Sequence, residues 1–130
     1  MNQSIYSALS VIALLSVFLS SPAQAALPPE VLQDKYRLMI EQNMQAKSYN
    51  KALVNFDKLQ AAGGELTPEL LYQQGLALMQ TGRSAEAAQA LTGYLEQTGK
   101  QGAHYQDALA MLIGAESENE QQHLVKALDV

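Results

Sequence analysis

The residues that come closest to a metal-binding or catalytic motif are Glu120 and His123, near the C-terminal end of the sequence. A Glu-x-x-His spacing places both side chains on one helix face, as in helical di-iron proteins. Such a site needs two of these motifs and further inward-facing carboxylates. The sequence contains one copy, flanked by polar residues. We therefore interpret the pair as part of a solvated helix face.

The other residue types that support catalysis are equally isolated. The sequence has two histidines and no cysteine, so it lacks thiolate nucleophiles and the His-x-x-x-His pair of zinc proteases. It contains neither a Gly-x-Ser-x-Gly elbow nor a glycine-rich phosphate loop. Glu116, Glu118 and Glu120 alternate and so do not share one helix face. We predict a protein that is not an enzyme and that holds no cofactor and no metal.

The charge balance argues against a further class of function. The sequence carries 13 acidic and 8 basic side chains, for a net charge of −5. A nucleic-acid-binding protein needs a basic stripe that displaces counterions from phosphates. We therefore predict that the partner is not a nucleic acid.

The first 25 residues carry no charged side chain. Residues 5–19 are mostly apolar and are followed by small residues that end at Ala25, a pattern typical of a secretory signal peptide. A helix of about 15 residues is shorter than the roughly 20 that span a bilayer. We predict cleavage after Ala25, export to the periplasm, and one domain over residues 26–130. Because no Lys or Arg precedes residue 5, an uncleaved inner-membrane anchor formed by residues 5–19 is the alternative.

The exported part is predicted to be all-α. Ala, Leu and Gln dominate it, and β-branched residues are scattered singly. Thr67 before Pro68 is a strong helix start, and Gly82 and Gly99 stand where helices should end. Serines in capping positions precede three further helices: Ser48, Ser84 and Ser117. The predicted helices are six: 30–46, 49–61, 68–81, 85–97, 102–115 and 118–128.

The sequence repeats itself with an offset of 35 residues. Superposing Ala52 on Ala87 places Phe56 against Leu91. Periods of this length are typical of stacked supersecondary units. The helices are therefore expected to form antiparallel hairpins that pack on one another.

Residues 70–98 resemble a tetratricopeptide repeat (TPR). Gln74 and Gly99 stand where the family prefers leucine and proline. The residues that carry the resemblance are the small, large and turn positions of the two helices: Gly75, Leu78, Gly82, Ala87 and Leu91. Flanking units at about 33–66 and 102–128 match less well, as expected of terminal repeats. The resemblance implies a short TPR-like solenoid in which the first helix of each hairpin lines a concave groove.

The groove that the resemblance implies has an apolar-to-polar floor. Its predicted residues are Arg37, Glu41 and Met44 from the first unit, Tyr72, Leu76, Met79 and Gln80 from the second, and Gln106 and Ala110 from the third. Tyr72 is the expected anchor, because aromatic residues dominate hot spots. With Arg37 as the one cation in this set and Glu41 one turn away, a clamp for terminal carboxylates is not expected. The alternative is that these side chains pack between hairpins.

The sequence thus predicts an exported module that binds an envelope protein without catalysis. One alternative is a self-assembling structural subunit that forms homo-oligomers. Another is a small-ligand carrier or an enzyme with an unrecognised pocket.

Overall fold

The computed structural model describes residues 26–129, and this part of the chain is helical without a strand. The prediction of an all-α fold is therefore confirmed. A 3₁₀ turn at Gly99–Gln101 precedes the last helix. The five α-helices are α1 (Pro29–Gln45), α2 (Tyr49–Ala61), α3 (Pro68–Gln80), α4 (Ser84–Thr98) and α5 (Tyr105–Leu128). The signal peptide predicted at residues 1–25 lies outside the described residues.

The ends of α3 follow the predicted chemistry. The Thr67 side chain accepts a hydrogen bond from the Leu70 amide at 3.3 Å, so it caps the helix, and Pro68 occupies the first turn. Beyond the C-terminal end of α3, Gly82 has a φ of 73°, in the left-handed region that glycine enters at little cost. Both boundaries lie within one residue of the prediction.

The prediction of separate helices at 102–115 and 118–128 is wrong, because α5 runs without a break from Tyr105 to Leu128. Ser117, the predicted cap, is exposed in the middle of α5. No proline or glycine follows Gly114, and the intervening Ala, Glu and Gln residues are good helix formers. The Ser-x-x-Glu pattern of Ser117 and Glu120 therefore lies within one continuous helix and does not mark a helix start.

The other two serines also depart from the predicted capping role. Ser48 occupies the N-cap position of α2, but its side chain makes no capping hydrogen bond. Ser84 is the first residue of α4, where its buried hydroxyl donates to Glu118 Oε2 at 2.9 Å. This bond ties the start of α4 to the middle of α5.

Neighbouring helices pack in sequence order. α1 packs on α2, α3 packs on α4 and also contacts α2, and α5 lies against α4 and touches α3. One buried cluster is built around Ile40, Phe56, Leu59 and Leu78. A second cluster consists of Leu91, Tyr94 and Ala108. All seven predicted repeat positions except Gly82 are buried: Ala52, Phe56, Gly75, Leu78, Ala87 and Leu91.

Gly75 lets α3 and α4 approach each other closely. A Cβ at this position would lie 2.7 Å from Cγ and Cδ2 of Leu91, whose side chain is fully buried. Gly93 also lies inside a helix, but a Cβ there would be 3.6 Å from Leu71, an ordinary van der Waals distance. A comparison of Gly75 with Gly93 therefore distinguishes a steric requirement for glycine from the general cost of glycine in a helix.

We predict opposite effects of alanine at the two glycines. Gly75→Ala should lower the free energy of unfolding by about 1–3 kcal/mol, because the fully buried Leu91 side chain has to shift to make room for the added methyl group. Gly93→Ala should raise it by up to about 1 kcal/mol through helix propensity. Urea denaturation followed by circular dichroism measures both. Equal effects of the two substitutions would contradict the close approach.

The hydrogen bond between Ser84 and Glu118 predicts that α4 restrains the second half of α5. Ser84→Ala should cost about 1 kcal/mol and speed amide exchange in residues 116–128 roughly fivefold, because Glu118 loses its donor. Ser48→Ala is the matched control, since the Ser48 side chain makes no capping bond. Hydrogen exchange followed by mass spectrometry reads this segment directly. Unchanged exchange would show that packing alone holds α5.

Candidate functional site

The predicted groove residues of α3 differ in how exposed their side chains are. Tyr72 and Leu76 are half-buried and Gln80 is exposed, at successive spacings of four residues along one side of the helix. Met79 packs against the first buried cluster, and its Cε would lie 3.8 Å from a Cβ on Gly114 of α5. Met79 thus fills the space between α3 and α5, as the packing alternative expects.

Two of the three predicted groove residues of α1, Arg37 and Glu41, already interact with side chains of their own helix. Arg37 Nη1 lies 3.2 Å from Asp34 Oδ1, one turn earlier. Glu41 is exposed and accepts from the Gln45 side-chain amide at 3.4 Å. Met44 is half-buried against the first cluster. On α5, Gln106 and Ala110 are exposed.

Three rings converge where α3 begins, α4 ends and α5 begins. Tyr72 and His104 stack with their ring centroids 4.0 Å apart and 3° between their planes. Tyr94 is buried below them, with its centroid 5.6 Å from that of Tyr72. The Tyr94 hydroxyl accepts a hydrogen bond from the His104 amide at 2.8 Å, which fixes the start of α5. We call Tyr72, Tyr94 and His104 the aromatic cluster.

Carboxylates surround the exposed side of the aromatic cluster. Glu69 Oε2 lies 2.9 Å from Nε2 of His104. Partial burial, together with the negative charges of Asp107 and Glu69, raises the pKa of Tyr72 above its ordinary value. The Tyr72 phenol therefore ionises less readily than an ordinary tyrosine, and its hydroxyl can donate a hydrogen bond to a bound group.

The opposite end of α3 has the other sign of charge. Gln80 and Thr81 line a shallow depression of about 330 Å³ together with the turn between α1 and α2. Lys47 and Lys51 contribute to its wall. The surface of α3 thus runs from an acidic end at Glu69 to a basic end at Gln80. Sequence reasoning did not place these lysines beside the groove.

Sequence reasoning also did not place His104 beside Tyr72 and Glu69. His104 occupies the N-cap position of α5, but its ring makes no capping bond and stacks on Tyr72 instead. A signal was present, because Glu69 and His104 are 35 residues apart, the offset of the internal repeat. Equivalent positions of successive units become neighbours when units stack.

The motif that came closest to a metal site is not assembled into one. Glu120 and His123 lie on the exposed half of α5. Within residues 26–129, no group of three or more Asp, Glu or His side chains is placed to hold a metal ion. In the same residues, no helix is both long enough and apolar enough to cross a membrane.

Comparison with protein-family models, with curated proteins and with solved structures finds no match for this chain. The resemblance to TPR proteins therefore stays a prediction that depends on the residues quoted above.

Proposed function

We propose that the protein is an exported TPR-like module that binds a segment of another envelope protein and performs no catalysis. In this proposal the hairpins α1–α2 and α3–α4 and the single helix α5 stack as a short solenoid, and α1, α3 and α5 line the groove. The order of helix contacts supports the stacking, since α3 touches both α2 and α5. The burial of Ala52 with Phe56 and of Ala87 with Leu91 at equivalent positions supports the repeat.

The observation that carries the proposal is the stacked, half-exposed ring of Tyr72. His104 covers one face of the ring, and Tyr94 supports it from below. A side chain that is already fixed loses little conformational entropy when a partner binds. An aromatic ring that keeps a polar hydroxyl is also a frequent hot-spot residue.

The charges beside this anchor indicate the chemistry of the partner segment. Glu69 and Asp107 lie close enough to Tyr72 to influence its ionisation, whereas Lys47 and Lys51 line the depression at Gln80. A segment with an apolar residue for Tyr72 and Leu76 would fit best with a cation at one end and a carboxylate at the other. Such complementarity fixes the direction in which a peptide lies.

The proposal includes export with cleavage after Ala25. Mass spectrometry of the protein from the envelope fraction of a bacterial host should find a chain that begins at Ala26, because the apolar stretch is followed by a small-x-small cleavage pattern. An intact Met1 in the membrane fraction would instead support the anchor formed by residues 5–19.

Site-specific photo-crosslinking tests the groove. We expect a crosslinking residue at Gln80 or at Gln106 to capture the same partner in intact cells, because both exposed positions belong to the proposed groove. Gln60 on α2 and Gln89 on α4 are matched controls, since both are exposed glutamines on the second helices of their hairpins. They should give no such product.

Leu76→Ala sharpens this test. Leu76 is half-buried yet belongs to neither buried cluster, so its loss should leave the fold intact. The yield at Gln80 should fall about tenfold if Leu76 contributes about 1.4 kcal/mol to binding. Capture at Gln60 and Gln89 but not at Gln80 would show that the partner binds elsewhere.

A further inference from the structure

The outer side of α5 carries an apolar stripe that no described residue covers. Its members are Leu109, Ile113, Leu124 and Leu128, which are 37%, 61%, 64% and 84% exposed. They share one side of the helix, because steps of 4 and 11 residues are close to one and three whole turns. Ala108 and Ala115 mark the opposite, buried side.

The second half of α5 extends past the helices against which the first half packs. All residues from Glu116 to Leu128 are exposed except Asn119, which is half-buried. The bond between Glu118 and Ser84 connects this half to α4. Large apolar side chains on the outer face of such a helix mark an interaction surface.

The stripe is symmetric about its own midpoint, which lies between Glu118 and Asn119. Leu109 and Leu128 are equidistant from this point, and so are Ile113 and Leu124. Two polar residues that lie on the same side of α5 between the halves of the stripe, Ser117 and Glu120, are also equidistant from this point. Such a pattern is complementary to a copy of itself that runs in the opposite direction.

We propose that two copies of this chain associate through antiparallel α5 helices related by a two-fold axis at this midpoint. Ile113 then contacts Leu124 of the partner subunit, and Leu109 contacts Leu128 of the partner subunit. Ser117 and Glu120 of both subunits then lie near the axis. A two-fold interface requires self-complementarity of this kind.

The charges of α5 limit the strength of the antiparallel pair. The middle of the helix is acidic at Glu116, Glu118 and Glu120, and its last turns carry His123 and Lys126. Glu116 and His123 lie two turns apart on the same flank of the stripe, so an antiparallel pair places each Glu116 near His123 of the partner subunit. The same pair also sets the acidic segment from Glu116 to Glu120 of one copy opposite that of the other, because this segment lies at the two-fold axis, and the repulsion weakens the association most at low ionic strength.

The length of the stripe limits the strength of the association. From Leu109 to Leu128 the helix rises roughly 29 Å at about 1.5 Å per residue. Four apolar side chains from each copy place the interface among small ones, below about 1,200 Å². The dimer should therefore dissociate on dilution. The dimer also supplies the third unit, which has one helix, with a second helix from the partner subunit. This proposal does not depend on the proposed groove.

Cysteine crosslinking tests both the contact and its direction, because the native chain has no cysteine. Ile113→Cys and Leu124→Cys are made in the chain from residue 1 to residue 130, purified separately under reducing conditions, and then mixed and oxidised. We expect a disulfide-linked dimer in the mixture whose yield falls on dilution. Each variant alone should give no disulfide-linked dimer, because its two cysteines are separated by about 16 Å along the helix axis.

Sedimentation velocity supplies the matched control. Leu124→Glu should raise the dissociation constant of the dimer at least about tenfold, since it would bury an unpaired carboxylate. Leu38→Glu makes the same change at an exposed leucine of α1 (55% against 64%) and should leave the dimer intact. A disulfide between two Ile113→Cys chains would overturn the antiparallel direction. A native chain that is monomeric at all concentrations, with Leu124→Cys protected from thiol reagents, would show that another segment of the same chain covers the stripe.

Discussion

The close approach of α3 and α4 at Gly75 is the constraint on which the other features depend. Because Gly75 has no side chain, Leu91 can lie directly against the backbone of α3. The position of Leu91 sets that of Tyr94, which follows it by about one turn on the same side of α4. The Tyr94 hydroxyl then accepts the amide of His104 and so determines where α5 begins. The absence of a side chain at Gly75 thus influences both how α4 packs on α3 and where α5 begins.

The same chain of contacts determines which side chains reach the surface. His104 is held by Tyr94 through its backbone, which leaves the imidazole free to stack on Tyr72 and to meet Glu69. The start of α5 also fixes its rotation, because Ala108 must face the second buried cluster. With that side buried, Leu109 and Ile113 have to point outward. The aromatic cluster and the apolar stripe are therefore two consequences of one packing arrangement.

Local chemistry made much of this fold predictable. The cap at Thr67 and the turn at Gly82 were predictable because each is a short-range effect of one or two residues. The burial of Phe56 and Leu91 followed from the repeat. The continuity of α5 was not predictable, because a serine and a glutamate three residues apart suit a helix start and a solvated helix surface equally well. The contacts of His104 and the lysines beside Gln80 depend on how units pack, which periodicity alone does not specify.

The two proposed surfaces lie next to each other on α5, and this has a thermodynamic consequence. Gln106 belongs to the proposed groove and precedes Leu109, the first member of the apolar stripe, by one turn. An antiparallel partner subunit would bring its last turn close to Gln106 but would leave the side of α3 that carries Tyr72 and Leu76 uncovered. A segment bound only along α3 could then occupy both subunits of a dimer and gain affinity from two linked sites. A segment that continues to Gln106 would compete with the second subunit. Because such coupling is reciprocal, binding of that segment would weaken the dimer by the same factor by which the dimer weakens the binding.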